Sequence, residues 1–405
     1  MEIKELFVNK KNYIGALDIG SQHITFLLGE ISNQRLNLVG HSRVLSKGIQ
    51  KAQIEDLKQL NQVLGDFFES LSRKFSGLPD MLCLSQSGAH LRCLQYETHL
   101  PLNGFQHIIT EQDLKQLNLL AGQKTIPQEY VFLHSFRQFY TVDGLPTEHP
   151  LGHVCKKLSV FYNAIFGKTQ PIKDQLYAVN QFGFRVKHLV FSGIASALAT
   201  THTVERENGV CVINLGDQIT EFIVYKNQIP VLMGTVPVGG KNFTNDLSSG
   251  LQIHPEDAER LKIEHGIPFS ESNLDEKDIW ILGNHSIGDK KVKVKNFRII
   301  FHARAQELFD YIYRFIKKEN LDQSLLSGIV LTGGGALLKN IEKVAAQSFN
   351  CDCFVRGPIA NVDGDLKSPL YSTCFGLLHY ALQQTAVKEK DRPFLKKIAD
   401  WFGKK

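Results

Sequence analysis

Two strand–turn–strand segments, each with a glycine in its turn, lie about half a chain apart in this 405-residue sequence and constrain the fold most strongly. The first covers 13–28 and the second 209–225. With the glycines aligned, three turn positions correspond: Asp18 with Asn214, Gly20 with Gly216, and Gln22 with Gln218. This correspondence indicates two related halves that each begin with a hairpin. Because tight hairpin turns are common, a chance similarity stays open from these residues alone.

The remaining pattern alternates strand-like and helix-like segments, which predicts an α/β protein. A hydrophobic fraction of 43% with 21% charged residues excludes a mainly disordered chain. The net charge is +5, but seven basic and three acidic residues fall within 388–405. The rest of the chain is therefore close to neutral, which argues against nucleic acid as a partner.

Three groups of residues are candidates for binding chemistry. The glycines Gly333, Gly334 and Gly335 follow an apolar strand, where a backbone can approach an anion or simply pack closely. The two hairpin turns offer amides to phosphates, and Asp18 can hold a hydrated Mg²⁺ or form an Asx turn. Glu259 and Lys262 share one helical face, at a binding site or as a surface ion pair.

The order of these segments resembles the FtsA family of actin-like ATPases. The resemblance covers nearly the whole chain and is carried by eight segments: 15–21, 87–90, 189–196, 209–214, 258–266, 303–308, 328–334 and 371–380. It includes a stretch from Ser87 to about Lys168, which that family inserts at a position unlike any in actin. The inserted stretch separates this resemblance from one to MreB-like or chaperone-like relatives.

The resemblance implies an α/β, ribonuclease-H-like duplicated, two-lobed actin fold with four subdomains. The expected boundaries are 12–86, 169–206 and 361–384 for subdomain IA, 87–168 for the inserted IC, 207–241 and 301–360 for IIA, and 242–300 for IIB. A linker at 385–392 and an amphipathic helix at 393–405 follow.

The resemblance also implies ATP or ADP with Mg²⁺ in the central cleft. Gly20, Ser21 and Gln22 fall in the first phosphate turn, while Gly216, Asp217 and Gln218 fall in the second. Glu259, Lys262 and Gly333 to Gly335 would surround the ribose and adenine, and Asp18 would serve the metal.

The second phosphate turn departs from the family pattern Asp-x-Gly-Gly-Gly-Thr and reads Asn214-Leu-Gly-Asp-Gln-Ile219. Asp217 would repel a phosphate by roughly 3–4 kcal/mol at ~4–6 Å and an effective dielectric of about 20, before metal screening. Asn214 also lacks a carboxylate that could help to hold Mg²⁺. We therefore expect weak or ADP-preferring binding with negligible hydrolysis.

The C-terminal segment 393–405 places bulky apolar residues on one helical face and lysines on the other. This pattern is typical of a helix that lies in a bilayer interface, although a helix docked on the protein body would look similar. The residues expected at the membrane are Phe394, Leu395, Lys396, Lys397, Ile398, Trp401 and Phe402.

Membership of this family would imply a division adaptor at the septum that tethers FtsZ filaments to the cytoplasmic face of the inner membrane, forms actin-like filaments and recruits later division proteins. Four basic residues are candidate contacts for the acidic FtsZ tail, or else a solvated cationic face: Lys293, Lys295, Arg298 and Arg304. Three alternatives stay open: the actin-like adaptor of type IV pilus assembly, a nucleotide-hydrolysing enzyme or sugar kinase of the same superfamily, and an anchor with no nucleotide function.

Overall fold

The computed structural model describes residues 13–32, 35–102, 106–123, 127–266, 277–281, 289–360, 362 and 364–386. The expected amphipathic helix at 393–405 lies outside these residues, as does most of the expected linker.

The first half is built on a five-stranded sheet in the order β3-β2-β1-β6-β13. Its strands are β1 (Tyr13–Ile19), β2 (His23–Ser32), β3 (Arg35–Leu45), β6 (Met81–Gln86) and β13 (Arg185–Phe191). The first three run antiparallel to one another, while β6 is parallel to both β1 and β13. A short hairpin, β4 (Ile49–Gln50) and β5 (Gln53–Ile54), follows β3.

The second half repeats this plan in the order β16-β15-β14-β19-β20. Its strands are β14 (Val210–Leu215), β15 (Thr220–Lys226), β16 (Ile229–Val236), β19 (Ile329–Thr332) and β20 (Cys353–Val355). Here β15 runs antiparallel to both β14 and β16, while β19 is parallel to both β14 and β20. The predicted duplication and the actin-like α/β fold are therefore confirmed.

Ten α-helices are described, and most of them cover the two sheets. They are α1 (Leu57–Lys74), α2 (Glu111–Gly122), α3 (Thr169–Asn180), α4 (Ser192–Thr200), α5 (Thr203–Asn208), α6 (Gly240–Leu251), α7 (Pro255–His265), α8 (Val294–Lys318), α9 (Ile341–Phe349) and α10 (Ser372–Ala386). Asp56 caps α1 by accepting from the Gln59 amide at 3.0 Å, and Pro255 begins α7 as its sequence predicts. Of the helices that the structure describes, none is both long and apolar enough to cross a membrane.

A separate antiparallel sheet is inserted between β6 and α3. Its strands follow the order β10-β9-β12-β7, and α2 packs on it over a small core of its own. The inserted strands are β7 (Leu91–Leu100), β8 (His107–Ile108), β9 (Tyr130–Val142), β10 (Leu145–Thr147), β11 (Val154–Cys155) and β12 (Leu158–Lys168). Two of its side-chain amides reach the second half: Gln138 donates to the Pro230 carbonyl at 3.1 Å, and Asn163 donates to the Val231 carbonyl at 2.8 Å.

A two-stranded hairpin, β17 (Asp278–Ile281) and β18 (Lys290–Lys293), precedes α8. The alternation of valine and lysine from Lys290 to Lys295 predicts a strand with one wet, cationic face. Val292 is buried while Lys291 and Lys293 are exposed, which confirms that face. The prediction that this strand extends to Lys295 is wrong, because α8 begins at Val294 and turns Phe297 and Phe301 into the second core.

The helices α4 and α10 cross in the first half at Gly376, where a Cβ atom would lie 1.6 Å from the Ala195 carbonyl oxygen. We expect Gly376→Ala to lower the free energy of unfolding by about 1–3 kcal/mol, because backbone cannot yield as a flexible side chain does. Chemical denaturation measures this loss. The control Gly122→Ala, at the end of α2 with no atom near the added methyl, should be neutral or slightly stabilising. Equal stability of the two variants would contradict the close approach.

Candidate functional site

The two glycine turns face each other across a cleft between the halves. The Gly20 amide donates to the His23 carbonyl at 3.0 Å, and the Gly216 amide donates to the Ile219 carbonyl at 2.9 Å, so the two turns have the same hydrogen-bonding geometry. The cleft holds about 750 Å³ of space, counting its open mouth. Nine of the predicted site residues line it: Asp18, Gly20, Ser21, Gln22, Gly216, Asp217, Gln218, Gly333 and Gly334.

The triple glycine brings β19 against the second turn. Gly333 has a φ of +83°, and a Cβ atom there would lie 2.3 Å from the Asn214 side-chain oxygen. A short 3₁₀ helix, Gly334–Leu337, follows. Gly335 lines a small neighbouring cavity whose other walls include Gly240, Phe243 and Leu338. Only a residue without a side chain fits at position 333. Close packing therefore requires a glycine there, independently of any ligand in the cleft.

Glu259 and Lys262 lie beside the N-terminus of α6, and neither is among the described residues that line the cleft. Lys262 is 5% exposed, and its Nζ lies 2.7 Å from Glu259 Oε2. The same Nζ donates to the Gly240 carbonyl at 3.1 Å and to Thr244 Oγ1 at 3.0 Å. The expected ion pair is thus present but largely buried, and its hydrogen bonds anchor α7 to α6.

The residues that depart from the family pattern occupy the second turn. Burial raises the pKa of Asp217, an effect that the nearby Lys262 charge opposes. Gln218 reaches across the cleft, where its Oε1 accepts from the Lys51 amide at 2.8 Å. Asp217 therefore brings a carboxyl to the place where the family has glycine, and Gln218 makes a contact between the halves.

Asp18 is the described carboxylate best placed to serve a metal bound with phosphates. Its Oδ1 accepts from Ser85 Oγ at 2.5 Å, and burial raises the pKa of its carboxyl. In the part of the chain that the structure describes, no cluster of three or more His, Cys, Asp or Glu side chains could hold a metal ion. A cation beside Asp18 would therefore need phosphate oxygens and water as its other ligands.

Glu221 is a cleft residue that the sequence reasoning missed. It lies on β15 and is 2% exposed, and its two carboxyl oxygens accept from Ser87 Oγ at 2.8 Å and from Ser192 Oγ. Both serines belong to the first half of the chain, so the carboxyl joins the two halves at the base of the cleft. Burial raises its pKa to about 7, although the two hydroxyls favour the charged form. The signal available in the sequence was one acid inside a largely apolar strand, β15 (Thr220–Lys226).

The predicted basic contacts differ in their exposure. Lys293 and Lys295 are exposed, and Arg298 is half-buried. Arg304 instead pairs with Asp246, at 3.1 Å between Nη2 and Oδ1, and with Glu307. Its charge is already neutralised, which weakens its case as a contact for an acidic peptide.

Replacement of Glu221 with Gln should change how stability depends on pH. Because the pKa rises from 4.5 when unfolded to about 7 when folded, the folded state binds the proton more tightly. The stabilisation is complete below pH 4.5 and is lost as the pH rises through 7, by up to about 3 kcal/mol. In denaturant titrations from pH 5 to 8, the loss of stability should be smaller in Glu221→Gln than in the parent chain, because the contribution of Glu221 is removed while those of Asp18 and Asp217 remain. The exposed carboxylate variant Glu264→Gln should keep the parent's slope, and a slope unchanged in Glu221→Gln would contradict the assignment.

Comparisons with family models and with known sequences point to the same family. A family model described as "Cell division protein FtsA" matches residues 211–376, and one described as "SHS2 domain inserted in FTSA" matches residues 88–166. The chain is 27% identical over 412 residues to the Cell division protein FtsA of Borreliella burgdorferi, covering 97% of this chain and 99% of the relative.

Solved structures with the same fold share little sequence with the chain. The PilM-PilN type IV pilus biogenesis complex matches with a TM-score of 0.62 at 13% identity, over 91% of this chain and 98% of that one. MreB5 of Spiroplasma citri bound to ADP matches with a TM-score of 0.54 at 14% identity, over 94% and 99%. These likenesses show the actin-like fold.

The family assignment thus rests on sequence, with the fold in agreement. The two FtsA models fall on different parts of the chain, one on the second half and one on the inserted sheet, and together they cover more than half of it. The full-length relative spans both parts and the intervening segments. The chain belongs to the FtsA family of actin-like proteins.

Proposed function

We propose that this chain acts in cell division as an adaptor that attaches FtsZ filaments to the cytoplasmic face of the inner membrane, helps to assemble the Z ring at the septum and recruits later division proteins. The observation that carries the proposal is the inserted sheet, which matches a domain described as inserted in FtsA. Other actin-like neighbours support the shared fold alone.

The cleft supports nucleotide binding as part of this role. Two backbone turns of matching geometry line it from opposite halves, together with the glycines that follow β19. MreB5 of Spiroplasma citri has been solved with ADP and with AMPPNP. We propose that this chain binds ADP or ATP weakly, with Asp18 near a hydrated Mg²⁺ and with negligible hydrolysis because of Asp217 and Gln218.

Membrane attachment would come from the segment 393–405. Apolar side chains including Trp401 on one face and lysines on the other suit the boundary between headgroups and acyl chains. Each basic residue near an anionic leaflet contributes about 1 kcal/mol, so a single short helix binds reversibly. Self-association into actin-like filaments would multiply these contacts and hold the assembly on the membrane.

The FtsZ tail, an acidic peptide in this proposal, would dock beside β18 and the start of α8. Lys293 and Lys295 are exposed there, and Arg298 lies one turn further along the helix. Arg304 is a weak candidate, because its guanidinium pairs with Asp246 and Glu307.

Co-sedimentation with anionic vesicles and FtsZ tests the adaptor role. The parent chain should pellet and bring FtsZ with it, whereas Trp401→Glu with Phe402→Glu should leave both in the supernatant, because carboxylates cannot enter the apolar layer. A parent chain that pellets without FtsZ would favour a different membrane adaptor, such as one for pilus assembly. Persistent pelleting of the double variant would refute the membrane assignment.

Two matched controls sharpen this assay. The pair Lys396→Gln and Lys404→Gln changes the net charge by the same amount but keeps the apolar face, so vesicle binding should weaken without being lost. The pair Lys293→Ala and Lys295→Ala should leave vesicle binding intact and reduce FtsZ recruitment. Recruitment at the parent level would discard these two lysines as contacts.

Asp217→Asn tests the electrostatic part of the nucleotide proposal. Removal of the charge should raise affinity for ATP by about tenfold or more and affinity for ADP by less, because repulsion grows towards the terminal phosphate. Isothermal titration calorimetry with Mg²⁺ measures both affinities. Asp217→Glu keeps the charge and serves as the control. Tight Mg-ATP binding by the parent chain would itself overturn the proposal of a weakened site.

A further inference from the structure

Arg43 occupies the cleft wall at the end of a row of three side chains. On the first sheet Asp18 of β1 lies opposite Thr25 of β2, and Thr25 lies opposite Arg43 of β3. Residues directly opposite in antiparallel pairs project on the same face of a sheet. All three line the cleft, together with the first glycine turn. The pairing of these strands therefore places an arginine in the same cleft as the glycine turns.

Arg43 is half-buried, and one donor of its guanidinium is left without a partner among the described residues. Within the described part of the chain, its buried Nε finds no acceptor. Burial lowers its pKa, and the neighbouring Tyr371 and Asp18 only partly oppose that shift. Since a buried donor without an acceptor costs about 1–3 kcal/mol, this Nε–H does not stabilise the fold by itself.

The charges around Arg43 make it the main cation of the cleft. Burial and the Arg43 charge together lower the pKa of His23, which also lines the cleft, to about 4, so His23 is neutral at pH 7. Of the described residues that line the cleft, Arg43 alone carries a full positive charge, against the carboxyls of Asp18, Asp217 and Glu221. Lys262 is engaged with Glu259 and the start of α6.

We propose that Arg43 binds the outer phosphate oxygens of a nucleoside diphosphate or triphosphate in this cleft. The inference rests on the proposed nucleotide binding and adds the residue that supplies the positive charge. A guanidinium presents a planar fork of donors that matches two phosphate oxygens at once. Arg43 thereby offsets the repulsion from Asp217 and replaces part of the binding that the glycines of the second turn would provide.

Calorimetry on the full chain with AMP, ADP and ATP tests this role. Arg43→Ala should weaken ADP and ATP binding by roughly tenfold to a hundredfold, the value of a charge-assisted hydrogen bond, and should change AMP binding little. Arg43→Lys should bind ADP and ATP more weakly than the parent chain but more tightly than Arg43→Ala, because lysine keeps the charge and lacks the planar fork of donors. Lys47→Ala removes one exposed positive charge four residues away and should match the parent.

Thermal unfolding without nucleotide distinguishes phosphate binding from a structural role. Since Arg43 leaves a buried donor unpaired, Arg43→Ala should unfold at the parent's temperature or higher, while losing the stabilisation that ADP gives the parent. A lower melting temperature without nucleotide would assign Arg43 to the fold and overturn the proposal. Unchanged ADP affinity in Arg43→Ala would overturn the role of Arg43 and leave the nucleotide proposal standing. A parent chain that binds no nucleotide would overturn both proposals.

Discussion

The arrangement of the two halves depends on the hydrogen bonds of one carboxyl that is buried at their junction. Glu221 extends from the second sheet and accepts hydrogen bonds from Ser87 and Ser192 of the first half. A buried carboxyl is tolerated only where its oxygens are satisfied, so the two serines must stay where they are. This requirement fixes the base of the cleft and thereby the separation of the two glycine turns above it.

The electrostatics of the cleft follow from the same junction. Three carboxyls and one guanidinium line the described space, and burial raises the pKa of each of the three carboxyls. A phosphate ligand entering such a site meets repulsion from the second turn and attraction from the edge of the first sheet. In the proposed nucleotide site, Asp217 and Gln218 in place of glycines would weaken phosphate binding, and Arg43 would partly restore it with a side chain in place of backbone amides.

The sequence predicted well what depends on local pattern and poorly what depends on sheet register. The glycine turns, the duplication and Pro255 at the start of α7 were predictable because backbone geometry demands those residues where they stand. Glu221 and Arg43 were missed because their entry into the cleft depends on strand pairing across the sheet. The spacing of Glu259 and Lys262 predicted a pair but not its burial. The end of β18 was misplaced because two core phenylalanines require the helix to start earlier.

The inserted sheet has a mechanical consequence. Gln138 and Asn163 donate to carbonyls of β16, the edge strand of the second sheet, although the inserted sheet is covalently continuous with the first half. Any rotation of one half against the other must shear these two hydrogen bonds. The inserted sheet thus resists opening of the cleft. A force that a partner applied to the inserted sheet would also act on the cleft.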